Sequence, residues 1–165
     1  MNECGLMDAL QKRTDITLLD RSKAGSPEEV KEIYHKALSC DYYFMSTNAI
    51  TLDGQLVNTD GTGNRVAALI YGPENVIIIA GMNKVAATLE EAESRVKNIA
   101  SPPNAIRLDR KTPCALTGSC HDCFAEGCIC SHTVITRRSA IKGRIKLTWS
   151  EKNLVTKHIF QVERT

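Results

Sequence analysis

Residues 76–84 read Val-Ile-Ile-Ile-Ala-Gly-Met-Asn-Lys, and this stretch decides the fold class. Three consecutive isoleucines between valine and alanine are typical of a strand buried on both faces, as the strands of a parallel sheet are. The Gly81-Met82-Asn83-Lys84 that follows places a loop at the carboxyl end of this strand, where open α/β sheets bind ligands. The stretch therefore predicts a central parallel strand with a functional loop after it.

Helical and strand patterns alternate on either side of this stretch. Two helix starts carry capping boxes, Ser26-Pro27-Glu28-Glu29 and Thr88-Leu89-Glu90-Glu91, and we predict that the second helix ends at Ser101-Pro102-Pro103. Residues 51–60 indicate a hairpin around Asp53-Gly54. Further short apolar runs of strand length lie at 16–19, 42–45, 133–136 and 145–149.

This alternation predicts an α/β fold, a Rossmann-like and largely parallel sheet flanked by helices. The 165 residues are enough for one compact core, so we expect a single domain over residues 1–165, with a cysteine-rich loop at 112–131. The last residues, 158–165, carry no pattern on which we base a prediction.

Composition excludes several classes of protein. Hydrophobic residues make up 42% and charged residues 24%, which excludes a disordered or collagen-like chain. The longest apolar run is far shorter than the roughly 18 residues of a membrane span, and the first ten residues have no signal-peptide pattern. We therefore expect a cytoplasmic protein without a membrane span.

Five of the seven cysteines lie between residues 114 and 130. A disulfide framework spreads its cysteines over the chain, so this cluster indicates metal ligands in a reducing compartment, with disulfides or free thiols as the alternative. The compact spacing differs from the two separated CxxC knuckles of a zinc ribbon, and it favours an iron–sulfur cluster over zinc. His121 and His132 are alternative ligands that we expect to be bystanders.

Positive charge is concentrated on and after the cysteines. Residues 101–148 hold 8 basic and 3 acidic residues, in a chain with a net charge of only +2. The basic run 137–146 lacks interleaved aromatic residues, so we expect solvated strand faces around a hairpin and not a nucleic-acid surface.

Glycine- and asparagine-rich loops are candidates for binding a small organic acid or a nucleotide-like anion. Glycine lets backbone N–H groups approach an anion, a helix start adds a favourable dipole, and arginine adds bidentate geometry. Simple turns are the alternative. The candidate ligand-binding residues are Asn48, Asp53, Gly63, Asn64, Arg65, Gly81 and Lys84. Asp53 and Asp60 are equally candidates for a general base and for turn caps.

The motifs together resemble the lactate-utilisation (LUD) domain family, from about residue 5 to residue 154. The resemblance rests on Thr47-Asn48-Ala49-Ile50-Thr51-Leu52-Asp53-Gly54, Gly63-Asn64-Arg65-Val66-Ala67, Tyr71-Gly72-Pro73 and Gly81-Met82-Asn83-Lys84. The cysteine segment, with Ile135-Thr136-Arg137-Arg138 after it, resembles the cysteine-containing (LutC/YkgG-like) branch of that family.

The resemblance implies a fold similar to the sugar-phosphate isomerase and coenzyme A-transferase group. It also implies that the chain is short at its N-terminus by a strand and a turn. Its related branches imply oxidation of lactate to pyruvate beside iron–sulfur partner subunits. We therefore expect a 4Fe-4S cluster, with Cys114, Cys120, Cys123 and Cys130 as ligands and Cys128 as the alternative ligand.

Three further hypotheses about function and assembly stay open. One is a non-catalytic binding module with a structural zinc site, and another is a hydrolase or ligase acting on a phosphorylated or coenzyme A-linked substrate. Assembly as a homo-oligomer is the third.

Overall fold

The computed structural model describes residues 5–150 and the backbone of 160–164. The chain divides into two compact units. One comprises Met1–Ser46, Ala67–Asn83 and Ser139–Thr165, and the other comprises Thr47–Val66 and Lys84–Arg138. The division does not test the predicted single domain over residues 1–165, which stays a prediction.

Six α-helices and nine strands are assigned in the described part of the chain. The helices are α1 (Leu6–Gln11), α2 (Pro27–Lys36), α3 (Asn64–Tyr71), α4 (Leu89–Arg95), α5 (Ser101–Arg107) and α6 (Pro113–Thr117). The strands are β1 (Ile16–Leu19), β2 (Tyr42–Met45), β3 (Ala49–Thr51), β4 (Leu56–Asp60), β5 (Asn75–Gly81), β6 (Val85–Ala86), β7 (His132–Thr136), β8 (Ile145–Ser150) and β9 (Phe160–Arg164).

The first unit contains a five-stranded sheet in the order β1-β9-β2-β5-β8. The isoleucine-rich strand β5 lies between β2 and β8 and runs parallel to both, with Val76 opposite Ile145 in the register. The predicted α/β fold, with a largely parallel sheet flanked by helices, is confirmed. Strand β9 was not predicted, and it runs antiparallel to both of its neighbours.

The core of the first unit explains why α1 forms. Met7 and Leu10 lie one helical turn apart and are both buried against Phe44 of β2 and Ile79 of β5. Residues three positions apart share one helix face, so this short helix is stabilised mainly by the apolar surface that it buries.

The second unit contains a four-stranded sheet in the order β6-β3-β4-β7. The predicted hairpin is present, because β3 and β4 pair antiparallel and Gly54 turns between them with a φ of 91°. The buried side chains of Ala49, Val57 and Ala92 form its core with Val96. The expected hairpin around residues 137–146 is wrong, since β7 belongs to this sheet and β8 to the other.

Helix α4 does not end where the two prolines predicted. A π-helical turn, Val96–Ala100, follows α4, and α5 then begins at Ser101 and includes Pro102 and Pro103. Proline lacks an N–H donor, and its ring opposes the carbonyl four residues earlier. A π turn changes the local hydrogen-bond pattern, and the helical path continues to Arg107.

The end of α3 is held by Arg144. This side chain is buried, and its guanidinium donates to the carbonyl oxygens of Leu69, Ala68 and Pro73, the last two at 2.9 Å each. Burial lowers the pKa of Arg144. A cation at a helix C-terminus interacts favourably with the helix dipole, so this member of the basic run is a structural residue.

Gly72 leaves room for the same helix end. A Cβ atom there would lie 2.6 Å from the Ala68 carbonyl oxygen and 2.7 Å from its Cα, both backbone atoms that cannot rotate away. We expect Gly72→Ala to lower the free energy of unfolding by about 1–3 kcal/mol, as overpacking does. Urea denaturation measures this, with Gly25→Ala as the matched control, since a Cβ atom at Gly25 meets only a glutamate oxygen at 3.7 Å. Equal stability of the two variants would contradict the steric argument.

Candidate functional site

Arg65 is the centre of a buried polar network in the second unit. Its side chain is 1% exposed. The guanidinium donates to the Asp60 carboxylate from Nε at 2.9 Å and from Nη2 at 2.6 Å, and it also donates to the side-chain oxygens of Asn58 and Asn48. This geometry satisfies a buried charge with a paired carboxylate and amide acceptors.

Asp60 places a carboxylate at the N-terminus of α3. Its Oδ2 accepts the backbone N–H groups of Arg65 and Val66, each at 3.1 Å. A helix N-terminus favours negative charge. The anion beside Arg65 in this structure is therefore the chain's own Asp60, which acts as a helix cap, one of the two roles considered for it.

Two further cations bond to the backbone at Asn48 and at the preceding Thr47. The Asn48 side-chain oxygen accepts the Thr59 N–H at 3.0 Å as well as Arg65, and its backbone carbonyl accepts Arg95 at 2.6 Å. Beside it, the buried Lys84 donates to the Thr47 carbonyl at 3.0 Å. Burial lowers the pKa of Arg95, a residue that the sequence analysis did not select.

The other candidate ligand residues lie in different settings. Asp53 caps the β3–β4 hairpin, and hydrogen bonds from Thr51 and then Gln55 lower its pKa. Asn64 is the first residue of α3 and is partly exposed, while Gly81 ends β5 in the first unit. The structure thus brings Asn48 and Arg65 into contact and gives Lys84 an adjacent partner. Their binding of a ligand stays a prediction.

The glycine turn, defined here as residues 61–63 before α3, packs against the end of the cysteine segment. Gly63 has a φ of +83°, and a Cβ atom on it would lie 3.2 Å from the His132 ring. A Cβ on Gly61 would lie 3.5 Å from the backbone of Ile129. The ladder of β4 with β7 continues this contact, since Asp60 stands opposite His132. The glycine turn and the cysteine segment are therefore neighbours in one unit.

The cysteine segment, defined here as residues 112–131, contains one short helix. Pro113 begins α6, and Gly118 ends it in the left-handed conformation, with its N–H donating to the Cys114 carbonyl. Cys114 is buried, and its sulfur is hydrogen-bonded to the Thr112 hydroxyl. All five cysteines of the segment are free thiols.

Two sulfurs of the segment accept backbone hydrogen bonds. The Asp122 N–H donates to the Cys120 sulfur, and the Cys130 N–H donates to the Cys128 sulfur, each at 3.4 Å. Asp122 adopts a φ of 46°, which aspartate tolerates better than most residues. These two N–H donors orient the sulfurs of Cys120 and Cys128 within tight turns of the segment.

The Cys130 thiol lies among other sulfurs. Burial of the sulfur raises the pKa of Cys130, while its hydrogen bond to Ser101 opposes this. Charge interactions with Cys128, Cys120 and Cys114 raise it further.

The sulfurs are near one another but are not arranged as a closed site. Among the described residues, no group of three or more His, Cys, Asp or Glu side chains is placed to hold a metal ion. Cysteine sulfurs fit an iron–sulfur cluster or zinc in their chemistry. Binding would therefore have to draw the sulfurs of the segment closer together. His121 bonds to the Thr117 hydroxyl, and the His132 ring lies beside Gly63. Their expected roles as bystanders stay a prediction.

A family comparison agrees with the architecture of both units. The family model for the LUD domain matches residues 1–147. The chain belongs to the LUD-domain family. The LUD domain is linked to lactate utilisation in general, and assignment of this LUD-domain protein to the cysteine-containing branch stays a prediction. Searches of curated proteins and of solved structures each returned no match.

The helices of this LUD-domain protein are short. Within the part of the chain that the structure describes, none is long and apolar enough to cross a membrane.

Proposed function

We propose that this LUD-domain protein takes part in the oxidation of lactate or a similar organic acid, as a subunit that holds an iron–sulfur cluster. Cys114, Cys120 and Cys130 would be ligands, with Cys123 or Cys128 as the fourth. Such a cluster, when bound, supplies one-electron transfer. Lactate oxidation releases two electrons and two protons, so partner subunits must carry the electrons onward.

The observation that carries this proposal is the pair of N–H···S hydrogen bonds. Donors at 3.4 Å from the sulfurs of Cys120 and Cys128 fix the orientation of both sulfurs, as donors around metal-binding sulfurs do. A segment whose cysteines had only a packing role would need no such polarity at its sulfurs. Hydrogen bonds to sulfur are also one of the factors that set the potential of a cluster.

The organic acid belongs, on this proposal, at the glycine turn before α3. Asn64 is partly exposed there, whereas Arg65 and Lys84 are buried and bonded within the protein. A ligand-binding test that removes Arg65 would therefore confuse binding with stability. Asn64→Ala is the better variant for thermal-shift measurements with lactate, nucleotides and coenzyme A esters.

A second candidate function is a binding module with a structural zinc ion. Its support is the large apolar side chains that the cysteine segment exposes, Leu116 on α6 and Phe124 between Cys123 and Cys128. Exposed apolar side chains on a metal-binding loop are suited to contact a partner protein. This candidate predicts stoichiometric zinc and no reducible centre.

Removal of one ligand separates the cluster from incidental iron. We expect anaerobic protein, reconstituted with Fe²⁺ and sulfide, to develop a broad visible absorbance that dithionite bleaches reversibly. Cys130→Ser should lose this absorbance, because Cys130 is one of the proposed ligands and its sulfur is held in place by the Ser101 hydroxyl. Absorbance spectra with iron and sulfide analysis measure the effect.

Cys40→Ala is the control for this experiment. Cys40 is a buried thiol of the first unit and is hydrogen-bonded to backbone carbonyls. Its replacement by alanine should leave iron uptake unchanged. Equal absorbance in wild type and Cys130→Ser would exclude Cys130 as a ligand. Zinc uptake alone by the wild type would favour the second candidate.

A further inference from the structure

One helical stretch contacts the cysteine segment at three points. The Asn98 side-chain oxygen accepts the Cys120 N–H at 3.3 Å, and the Ser101 hydroxyl accepts the Cys130 thiol at 3.4 Å. Lys97 forms an ion pair with Asp122 at 2.6 Å. Lys97 and Asn98 lie in the π turn Val96–Ala100, and Ser101 follows it directly.

The π turn explains how these side chains come to face one segment. A regular α-helix has 3.6 residues per turn. A π turn contains one additional residue, so the residues after it lie on a different side of the helix. π turns inside α-helices are frequent at functional sites. Ser101 is buried and Val96 packs in the core of the unit, so the stretch is fixed from behind.

We propose that the π turn with Ser101, residues 96–101, is the platform that positions the cysteine segment for metal, with Asn98 and Ser101 as positioning residues. The inference rests on the proposed function only for the identity of the metal group. Neither residue is a ligand: Asn98 holds the backbone at Cys120, and Ser101 holds the sulfur of Cys130.

The two contacts differ in what they do. Asn98 accepts from a backbone N–H, so it fixes the turn that carries Cys120 and the neighbouring Asp122. Ser101 contacts sulfur itself, and its hydroxyl can donate to Cys130 once that sulfur is a thiolate. Partners of metal ligands orient the ligands and tune their basicity, and their removal typically lowers metal affinity by about 10- to 100-fold. The exposed Lys97–Asp122 pair should contribute little by comparison.

The test uses Co²⁺ as the probe, titrated into metal-free, reduced full-length protein. We expect Ser101→Ala and Asn98→Ala each to weaken Co²⁺ binding by about 10-fold or more. The thiolate-to-cobalt absorbance measures the binding. Ser101→Thr keeps the hydroxyl and should restore affinity. Amide hydrogen exchange in residues 118–131 of the metal-free protein should be faster in both alanine variants.

Asn104→Ala is the matched control, since Asn104 lies on α5 and its side chain bonds only to Arg107 among the described residues. Its Co²⁺ affinity should stay within about twofold of wild type, because the described partner of its side chain lies on α5 and not in the cysteine segment. Unchanged affinity and exchange in both alanine variants would overturn the platform while leaving the cluster proposal intact. Co²⁺ binding without iron and sulfide uptake would overturn the cluster proposal. The Co²⁺ affinities of the variants would still test the platform. If the wild type binds neither metal, both the cluster proposal and the platform are overturned.

Discussion

Arg65→Met should lower the free energy of unfolding by about 3–5 kcal/mol, the usual cost of removing one partner of a buried ion pair. Arg65 is 1% exposed and holds Asp60 at 2.6 Å, so the variant would leave the buried carboxylate without its cation. The side-chain oxygens of Asn48 and Asn58 would also lose a donor. Chemical denaturation followed by circular dichroism measures the change.

A second variant separates the ion pair from the loss of packing. Asp60→Asn combined with Arg65→Met removes both charges, so the double variant should be more stable than Arg65→Met alone. Arg110→Met, at an exposed position of the same unit, should change stability by less than about 0.5 kcal/mol. If Arg65→Met were as stable as Arg110→Met, the network would not stabilise the second unit.

Arg144→Met should lower the free energy of unfolding by about 2–4 kcal/mol. Hydrogen bonds to charged groups contribute about 1.5–3 kcal/mol each, and Arg144 donates to three backbone carbonyls. Removal of a buried charge recovers part of this, because the pKa of Arg144 is lowered by burial. The helix end at Ala68 and Leu69 would lose its cation as well.

Lys146→Met is the matched control for Arg144. Lys146 lies two residues further along the chain, in β8, and its described side-chain partner is the partly exposed Asn75 at 2.8 Å. A change below about 0.5 kcal/mol is expected there. Amide exchange in α3 should rise in Arg144→Met and not in Lys146→Met, and equal exchange in both variants would contradict the capping role.

The central strand and the capped helices were predictable because their signals are local. The isoleucines of β5 and the capping box at Thr88 specify strand and helix within a few residues, and the Thr88 hydroxyl accepts the Glu91 N–H as expected. The hairpin at Gly54 also has a local cause, a left-handed residue between two strands.

The features that were missed depend on contacts between distant residues. Strand β9 lies between β1 and β2 because the far end of the chain pairs there, and nothing within residues 158–165 specifies that partner. Arg144 belongs to a basic run, yet it is buried because it meets carbonyls about 71 to 76 residues earlier. The π turn and its contacts to the cysteine segment have no sequence signature beyond Pro102 and Pro103.

The sequence predicted which residues belong to the candidate site better than it predicted what each of them does. Asn48 and Arg65 do meet, but Arg65 bonds to Asp60 of its own chain. The spacing of the cysteines selected the segment, whereas only the fold shows the turn in which the Cys130 N–H donates to the Cys128 sulfur. Which sulfurs converge depends on how the loop returns to the sheet, and spacing does not determine that.

The most direct test of the central claim is iron and acid-labile sulfide analysis of full-length protein isolated without oxygen. We predict both elements bound in comparable amounts in each chain, because the cysteine segment holds five free thiols, two of them oriented by backbone N–H donors. Protein that carries stoichiometric zinc, or no metal, with neither iron nor sulfide would contradict it.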